Sequence, residues 1–425
     1  YNGSENFSPN HRFGFFPSIA VGYVVSNEKF FEPIRDVVSM VKLKASYGLV
    51  GNDQIGGDRR FIYNETVIGG GKYYFGTTPS QYTSVRLGEF PNPNVGWEKA
   101  KKLNLGADLS FFNQLNISVD YFKENREGIF LQRKSIPMYV GLSTKPWVNI
   151  GKMRNSGIDA SLEYHQPLGK DLHLTVRGNF TYARNRIMDQ DEPDYAYTYM
   201  NHSGQMQWQK FGLVAAGLFQ DQEDIDSWSK QSFGEVKPGD IKYLDLNGDG
   251  IVDNYDTKPI GYSDIPEIVY GFGFSLQWKA FDLSAFFQGV AHVSFSTLTD
   301  QTQAFVGRNL KESSVFADLY GNTWTPENPG AKYPRMTTGA IDNNNQLSTF
   351  WMANGRYLRL KNLELGYTLP KRIANKIAMQ SLRVYLSGVN LFTFSPFKLW
   401  DPDLQTGATN YPNNRIINLG LTIGF

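Results

Sequence analysis

Along most of this chain apolar side chains recur at every second position. That is the period at which a strand turns successive side chains to opposite faces. Val41, Leu43, Ala45, Tyr47 and Leu49 alternate with Lys42, Lys44, Ser46 and Gly48. Leu103, Leu105, Ala107, Leu109 and Phe111 alternate with Lys102, Asn104, Gly106, Asp108 and Ser110. The same pattern predicts strands over Arg12–Val25, Leu115–Tyr121, Ile158–Tyr164, Leu172–Tyr182, Ile268–Trp278, Phe281–Phe295, Arg356–Leu369 and Leu382–Phe394. It closes on Arg415–Phe425, where Ile417, Leu419, Leu421, Ile423 and Phe425 stand against Asn418, Gly420, Thr422 and Gly424. The total is about eleven strands, many longer than soluble sheets use. Near Asn362 the alternation slips from Leu358/Leu360 to Leu363/Leu365/Tyr367, which predicts a β-bulge.

The connections alternate in length. Short ones are expected around 26–37, 112–114, 166–171, 279–281 and 370–381, and long ones around 50–98, 133–148, 187–267, 296–355 and 395–414. Turns on one side and long loops on the other are the asymmetry of an outer-membrane barrel, whereas a Greek-key sandwich mixes its connections. With this parity Phe425 ends on the short-turn, periplasmic side. Phe111-Phe112, Tyr121-Phe122 and Phe392–Phe394 fall at strand ends, where interfacial girdles belong. The expected fold is therefore all-β, an antiparallel transmembrane barrel. Bacterial single-chain barrels have an even strand number. The predicted strands thus form roughly the last eleven of a plugged barrel of about 22 strands.

Composition changes this picture little. Lys+Arg 42 against Asp+Glu 41 gives net +1, so nothing points to nucleic acid. The chain has 15% aromatic residues and 41 glycines, which suits girdles and bends but would also suit a carbohydrate-binding sandwich. There is no cysteine, hence no disulfide. No apolar run reaches the length of a membrane helix. Tyr1 opens without initiator Met or signal segment, so the sequence reads as part of a longer one: plug and first strands are expected upstream.

One motif carries sharp chemistry. Asp245, Asn247, Asp249, Ile251, Asp253 and Asp256 occupy positions 1, 3, 5, 7, 9 and 12 of an EF-hand-type calcium loop, with Gly250 at the sharp turn. Asp256 stands where a bidentate Glu is usual, and an Asp/Asn/Gly turn without an ion is the competing reading. Loop aromatics suited to stacking on cargo are Tyr195, Tyr197, Tyr199, Trp208, Trp324, Trp351 and Trp400, with girdle or loop packing as their alternative. Gly69-Gly70-Gly71-Lys72 lacks phosphate-loop spacing and reads as a flexible loop tip. The acidic groups Asp191/Glu192/Asp194 and Asp221/Glu223/Asp224 read as solvated faces. His11, His165, His173, His202 and His292 are scattered without catalytic spacing, so no enzyme is expected.

Several segments resemble the C-terminal barrel half of SusC/RagA-type TonB-dependent transporters of Bacteroidota. They are W-E-K at Trp97–Lys99, V-D-Y-F-K-E-N-R at Val119–Arg126, N-I-G-K-M-R-N-S-G-I-D-A at Asn149–Ala160 and D-L-N-G-D-G at Asp245–Gly250. Y-L-R-L-K-N-L-E-L-G-Y-T-L-P at Tyr357–Pro370, R-V-Y-L-S-G-V-N-L-F-T-F at Arg383–Phe394 and D-P-D at Asp401–Asp403 complete the set. The terminal N-L-G-L-T-I-G-F resembles an outer-membrane assembly signal, with Asn418, Gly420, Ile423 and Phe425 as its candidate residues; Ile423 stands where an aromatic is more usual. The resemblance implies integral outer-membrane location and active import of oligosaccharides or oligopeptides. It also implies energy from TonB, a SusD-like lipoprotein lid and paired dimers. Two other readings stay open at this point, a secreted calcium-binding β-protein that binds or degrades glycans and a passive porin.

Overall fold

In the computed structural model, residues 1–55, 59–142, 144–299, 316–337, 339–377, 379–407 and 410–425 are described. An eleven-stranded antiparallel sheet dominates it, each strand paired with its neighbours in sequence order. The strands are β1 (Ser18–Val24), β2 (Val38–Asn52), β3 (Glu98–Phe111), β4 (Leu115–Gln132), β5 (Trp147–Pro167) and β6 (Leu172–Asp189). They continue as β7 (Ile268–Trp278), β8 (Phe281–Ala291), β9 (Tyr357–Thr368), β10 (Ser381–Phe394) and β11 (Ile416–Gly424). β1 and β11 are its edges. The expected strands and the alternation of short and long connections are both present.

Register separates two faces. Leu43, Ala107, Val119, Ala160, Phe180 and Tyr270 lie side by side across six strands on an apolar outward face. The next row along the strands, Lys44, Gly106, Asp120, Asp159 and Thr181, falls on the opposite, polar face. That face is knitted by ion pairs: Lys44 Nζ reaches Asp108 at 2.7 Å and Asp120 at 3.4 Å, and Arg383 spans Asp282 and Glu364, each at 2.5 Å. Gly366 shows why such a face needs glycine: a Cβ there would meet Arg383 and Asp282 at about 2.5 Å. At the short-turn end Trp278, Phe281 and Tyr367 form an outward aromatic row, with centroids 6.3 and 4.7 Å apart.

Some expectations need correction. The first predicted strand contracts to Ser18–Val24, because Phe13–Gly14 pairs instead with Asn2–Gly3. The strand predicted over Phe281–Phe295 breaks at His292 (φ 51°), and Ser294–Ser296 pairs with Met352–Asn354. β4, β5 and β6 run well past their predicted outer ends, since the outward face there turns from apolar to charged and the alternation disappears. Phe122 does not join a girdle. It lies on the polar face, opposite Gly157, whose missing Cβ makes room for the ring. The Gly69–Lys72 segment is no loose tip: it lies in the strand Val67–Phe75, irregular between Gly69 and Lys72, paired with Ser80–Leu87. The bulge is where the pattern placed it, with Lys361 skipped between Leu360 and Asn362 in both pairings of β9.

Candidate functional site

The functional candidates sit on the long-loop side, and the loops there are built structures. The two longest connections, 190–267 and 292–356, share a hydrophobic core of Leu213, Leu218, Ile241, Tyr243, Val252, Leu319, Trp324, Tyr333 and Trp351. Asp240, fully buried, fastens them. It pairs with Arg335 at 2.8 Å and accepts from Asn344 Nδ2 at 2.8 Å, while Tyr243 Oη donates to the Asn343 carbonyl at 2.9 Å. A second cluster of Phe7, Ile55, Ile62 and Val95, backed by Trp97, Phe130 and Trp147, fixes the 53–97 connection to the strands. Trp97 packs edge-on against Phe7 and Phe16. Asn149 accepts from the Gly96 N–H and donates to the carbonyls of Gly96 and Gly128.

The last long connection is tied to the sheet through charge. Arg359 is buried on the inner face of β9 and donates to Asp401, to Thr393 Oγ1 at 3.0 Å and to Asp403 at 3.5 Å. Tyr357 Oη donates to Asp403 at 2.9 Å, and Asn413 Nδ2 reaches both carboxylates at 3.1 Å. A buried guanidinium needs this degree of pairing. Thus the Y-L-R-L and D-P-D segments are the two halves of one tether.

Of the acidic residues expected on solvated faces, Asp194, Asp221 and Glu223 are exposed, whereas Asp191, Glu192 and Asp224 hold loops together. Asp191 accepts from Arg133 Nε (2.9 Å), Ser135 Oγ (2.9 Å) and the N–H groups of Lys134 and Ser135, clipping the β4–β5 loop to the β6–β7 loop. Partial burial would raise its pKa, but these donors hold the carboxyl below its ordinary value. Glu192 accepts from the N–H groups of His202 and Ser203, and Asp224 pairs with Lys242 at 3.0 Å. Exposed-looking acidic runs hide such roles because the donors lie far away in sequence.

The Asp245–Asp256 loop is closed on itself. Asp245 accepts from the N–H groups of Gly248 (2.7 Å) and Gly250 (2.8 Å), both at positive φ. Asn247 accepts from Asp249 N–H, and Asp249 from Ile251 N–H. Fully buried Asp256 accepts from Leu246 N–H (2.6 Å) and Asp253 N–H (2.8 Å), while Asp253 caps Asn254–Asp256 through Tyr255 N–H. Among the described residues no three or more acidic or histidine side chains converge as a ligand set.

The candidate aromatics divide. Trp324 and Trp351 are buried in the loop core, and the Trp351 indole N–H donates to the Asn344 carbonyl. Trp400 packs on Phe295, Phe316 and Phe397. Tyr195 packs at a tilt against His202, ring centroids 5.8 Å apart. Tyr197 and Tyr199 stack at 5.4 Å, with Tyr255 edge-on to Tyr197, a group that sequence spacing did not bring together. Trp208 is 61% exposed, at φ 65°, and of the seven tryptophan and tyrosine candidates it offers the freest ring. A cavity of about 780 Å³ opens between the 316–354 segment and Pro396–Leu399, lined by Trp351, Phe397, Asp318, Lys332 and Lys398. Lys332 and Tyr333 both donate to Asp318 at 2.5 Å and hold its carboxyl below the usual value.

Residues 1–391 match the family model described as TonB dependent receptor-like, beta-barrel. The TonB-dependent receptor P3 of Formosa agariphila is 30% identical over the whole chain, which covers 43% of that protein. The TonB-dependent receptor SusC of Bacteroides thetaiotaomicron is 26% identical, with 41% of its length covered. The solved RagAB peptide transporter superposes over 100% of this chain and 45% of its own, at TM-score 0.74 and 23% identity. The chain thus spans less than half the length of these relatives. Family membership sets aside the secreted glycan-degrading reading, since the family is one of barrel receptors and not of enzymes. A sheet with one apolar and one charged face, turns at one end and built loops at the other, belongs with that match: this chain is a member of the TonB-dependent receptor-like β-barrel family.

Proposed function

We propose that this chain forms wall and outer loops of an outer-membrane importer of oligosaccharides or oligopeptides, energised through TonB. Upstream sequence would supply the plug and remaining strands, a SusD-like lipoprotein would cover the loops, and two such pairs would associate. The observation that carries this reading is the ion-paired inner face of the sheet beneath folded loops, set against an outward face apolar enough for lipid. Among the relatives, RagAB is a peptide transporter and SusC a TonB-dependent receptor, which supports the peptide side of this reading and the coupling to TonB. The test is uptake of labelled oligosaccharide and oligopeptide pools by cells carrying the full-length gene, with and without TonB. Uptake lost without TonB is the expected result. Uptake that persists would make the protein a passive pore.

Calcium in the Asp245–Asp256 loop belongs to the same proposal. The donors are oxygens of the kind a hard cation takes. Binding would require Asp245, Asn247 and Asp249 to exchange hydrogen bonds to their own N–H groups for the ion. The ion would then stiffen the loop beside Tyr197, Tyr199 and Tyr255. Calorimetric titration of the full-length protein with calcium should show a site lost in Asp249→Ala. The idea fails if no heat is seen, or if the variant titrates as the parent does.

A further inference from the structure

Above the apolar band the outward face of β3–β6 changes character within two rows. The last apolar row is Leu105, Tyr121, Ile158 and Tyr182, aligned across the four strands. The next is Leu103, Lys123, Ser156 and Arg184, and the one beyond it Lys101, Asn125, Arg154 and Arg186. Farther out, Lys99, Glu127, Lys152 and Asp189 mix both signs.

Arg154 and Arg186 are directly opposite one another, an arrangement that like charges make unfavourable. Lys101 is answered by Glu127 at 3.2 Å, Lys152 by Asp189 at 3.7 Å and Arg184 by Glu267 at 2.5 Å. Arg154 and Arg186, both exposed, bond only neutral oxygens, Asn125 Oδ1 at 3.1 Å and the Gly204 carbonyl at 2.5 Å. Among the described residues neither they nor Lys123 has a carboxylate within ion-pair distance.

Height identifies the counter-charge. Two residues along a strand advance about 6.6 Å, and a tilt near 40° leaves roughly 5 Å of that along the membrane normal. Arg184 and Lys123 therefore stand about 5 Å above the last apolar row, and Arg154 and Arg186 about 10 Å. The headgroup layer is roughly 5–8 Å thick on each side of the hydrocarbon. Lys123 and Arg184 thus stand within it and the Arg154 and Arg186 backbones just above it, from where their long side chains reach a headgroup phosphate. A lipid whose chains cover Tyr121, Ile158 and Tyr182 brings its headgroup against these cations. Two facing guanidinium forks suit the oxygens of a phosphate.

We propose that this basic collar binds the phosphate of an outer-leaflet lipid headgroup, held chiefly by Arg154 and Arg186. The inference rests on the membrane placement proposed above. Its test uses full-length protein in nanodiscs of phosphatidylcholine with a minor fraction of phosphatidic acid, with retained lipids counted by native mass spectrometry. The parent should retain phosphatidic acid, and Arg154→Gln/Arg186→Gln should lose at least about tenfold of it. The same charge change on the inner face, Lys42→Gln/Arg177→Gln, should leave retention intact. Equal retention by parent and outward variant overturns the proposal, as does complete displacement by millimolar inorganic phosphate, which would mark a plain anion site. Failure of the membrane reading would look different: the full-length protein would fractionate as a soluble, lipid-free species, and this inference would fall with it.

Discussion

At the scale of single residues, the chemistry of this chain lies in polar side chains that hold loops in place. Arg359 is the clearest case, because its guanidinium is buried and three acceptors converge on it. Removing one member of a buried charge pair leaves the other unpaired, at about 3–5 kcal/mol. Arg359→Met in the full-length protein should therefore free the 395–415 connection, making limited proteolysis there at least tenfold faster with the barrel still resistant. Unchanged cleavage would show that the tether does not hold the loop. Asp191 makes a second, pH-dependent case. Its carboxyl titrates below the aspartate value of 3.8, so the stabilisation is present above that value and disappears as pH falls through the lower, folded-state pKa. Amide exchange at Lys134 and Ser135, corrected for intrinsic rates, should stay slow at pH 5 and accelerate below pH 3.8. Asp191→Asn should exchange fast at both.

At the scale of elements, what could be read from the sequence depended on whether the deciding contact was local. The period-two alternation of β2, β3 or β11 is dictated by lipid on one side, so each strand announces itself. The bulge at Lys361 was legible for the same reason. The outer parts of β4–β6 were not, since Arg154 and Arg186 break the apolar pattern while the ladder continues. The hairpin Val67–Phe75/Ser80–Leu87 did leave a signal, Y-Y-F and Y-T-S-V flanking a Gly76–Pro79 turn, and the glycine run obscured it. β11 yields a prediction of its own. A Cβ on Gly420 would lie 2.2 Å from the ring of Tyr385 across the β10–β11 pair. Gly420→Val should lower the yield of heat-resistant, folded full-length barrel on cold denaturing gels, overpacking of this kind costing about 1–3 kcal/mol. Tyr385→Ala in the same chain should restore it. If the double variant folds no better, the glycine serves something other than this ring.

At the scale of the whole molecule, the candidate site was only partly legible. D-L-N-G-D-G named the acidic loop, and the bulky loop aromatics named themselves, but the spacing could not say that Trp324 and Trp351 are core while Tyr197, Tyr199 and Tyr255 cluster near the acidic loop. Those assignments depend on contacts between the 190–267 and 292–356 connections, which no local pattern encodes. The same nonlocal packing divides the molecule energetically. The loops carry their own core, whereas the outward face of the sheet is bare: Ile19, Val21, Leu419 and Leu421 are each more than half exposed, all on the two edge strands, each of which has one side unpaired. Such edges and such a face are stable only when other strands and lipid cover them. Residues 1–425 expressed alone should therefore associate in detergent-free buffer, eluting from size exclusion with scattering masses far above 48.1 kDa. The loop-core tryptophans Trp324 and Trp351 should remain shielded from quencher in the associated material, because their packing does not depend on the missing strands. A monodisperse soluble monomer would contradict the lipid-facing assignment of the outward face, whatever the loops did.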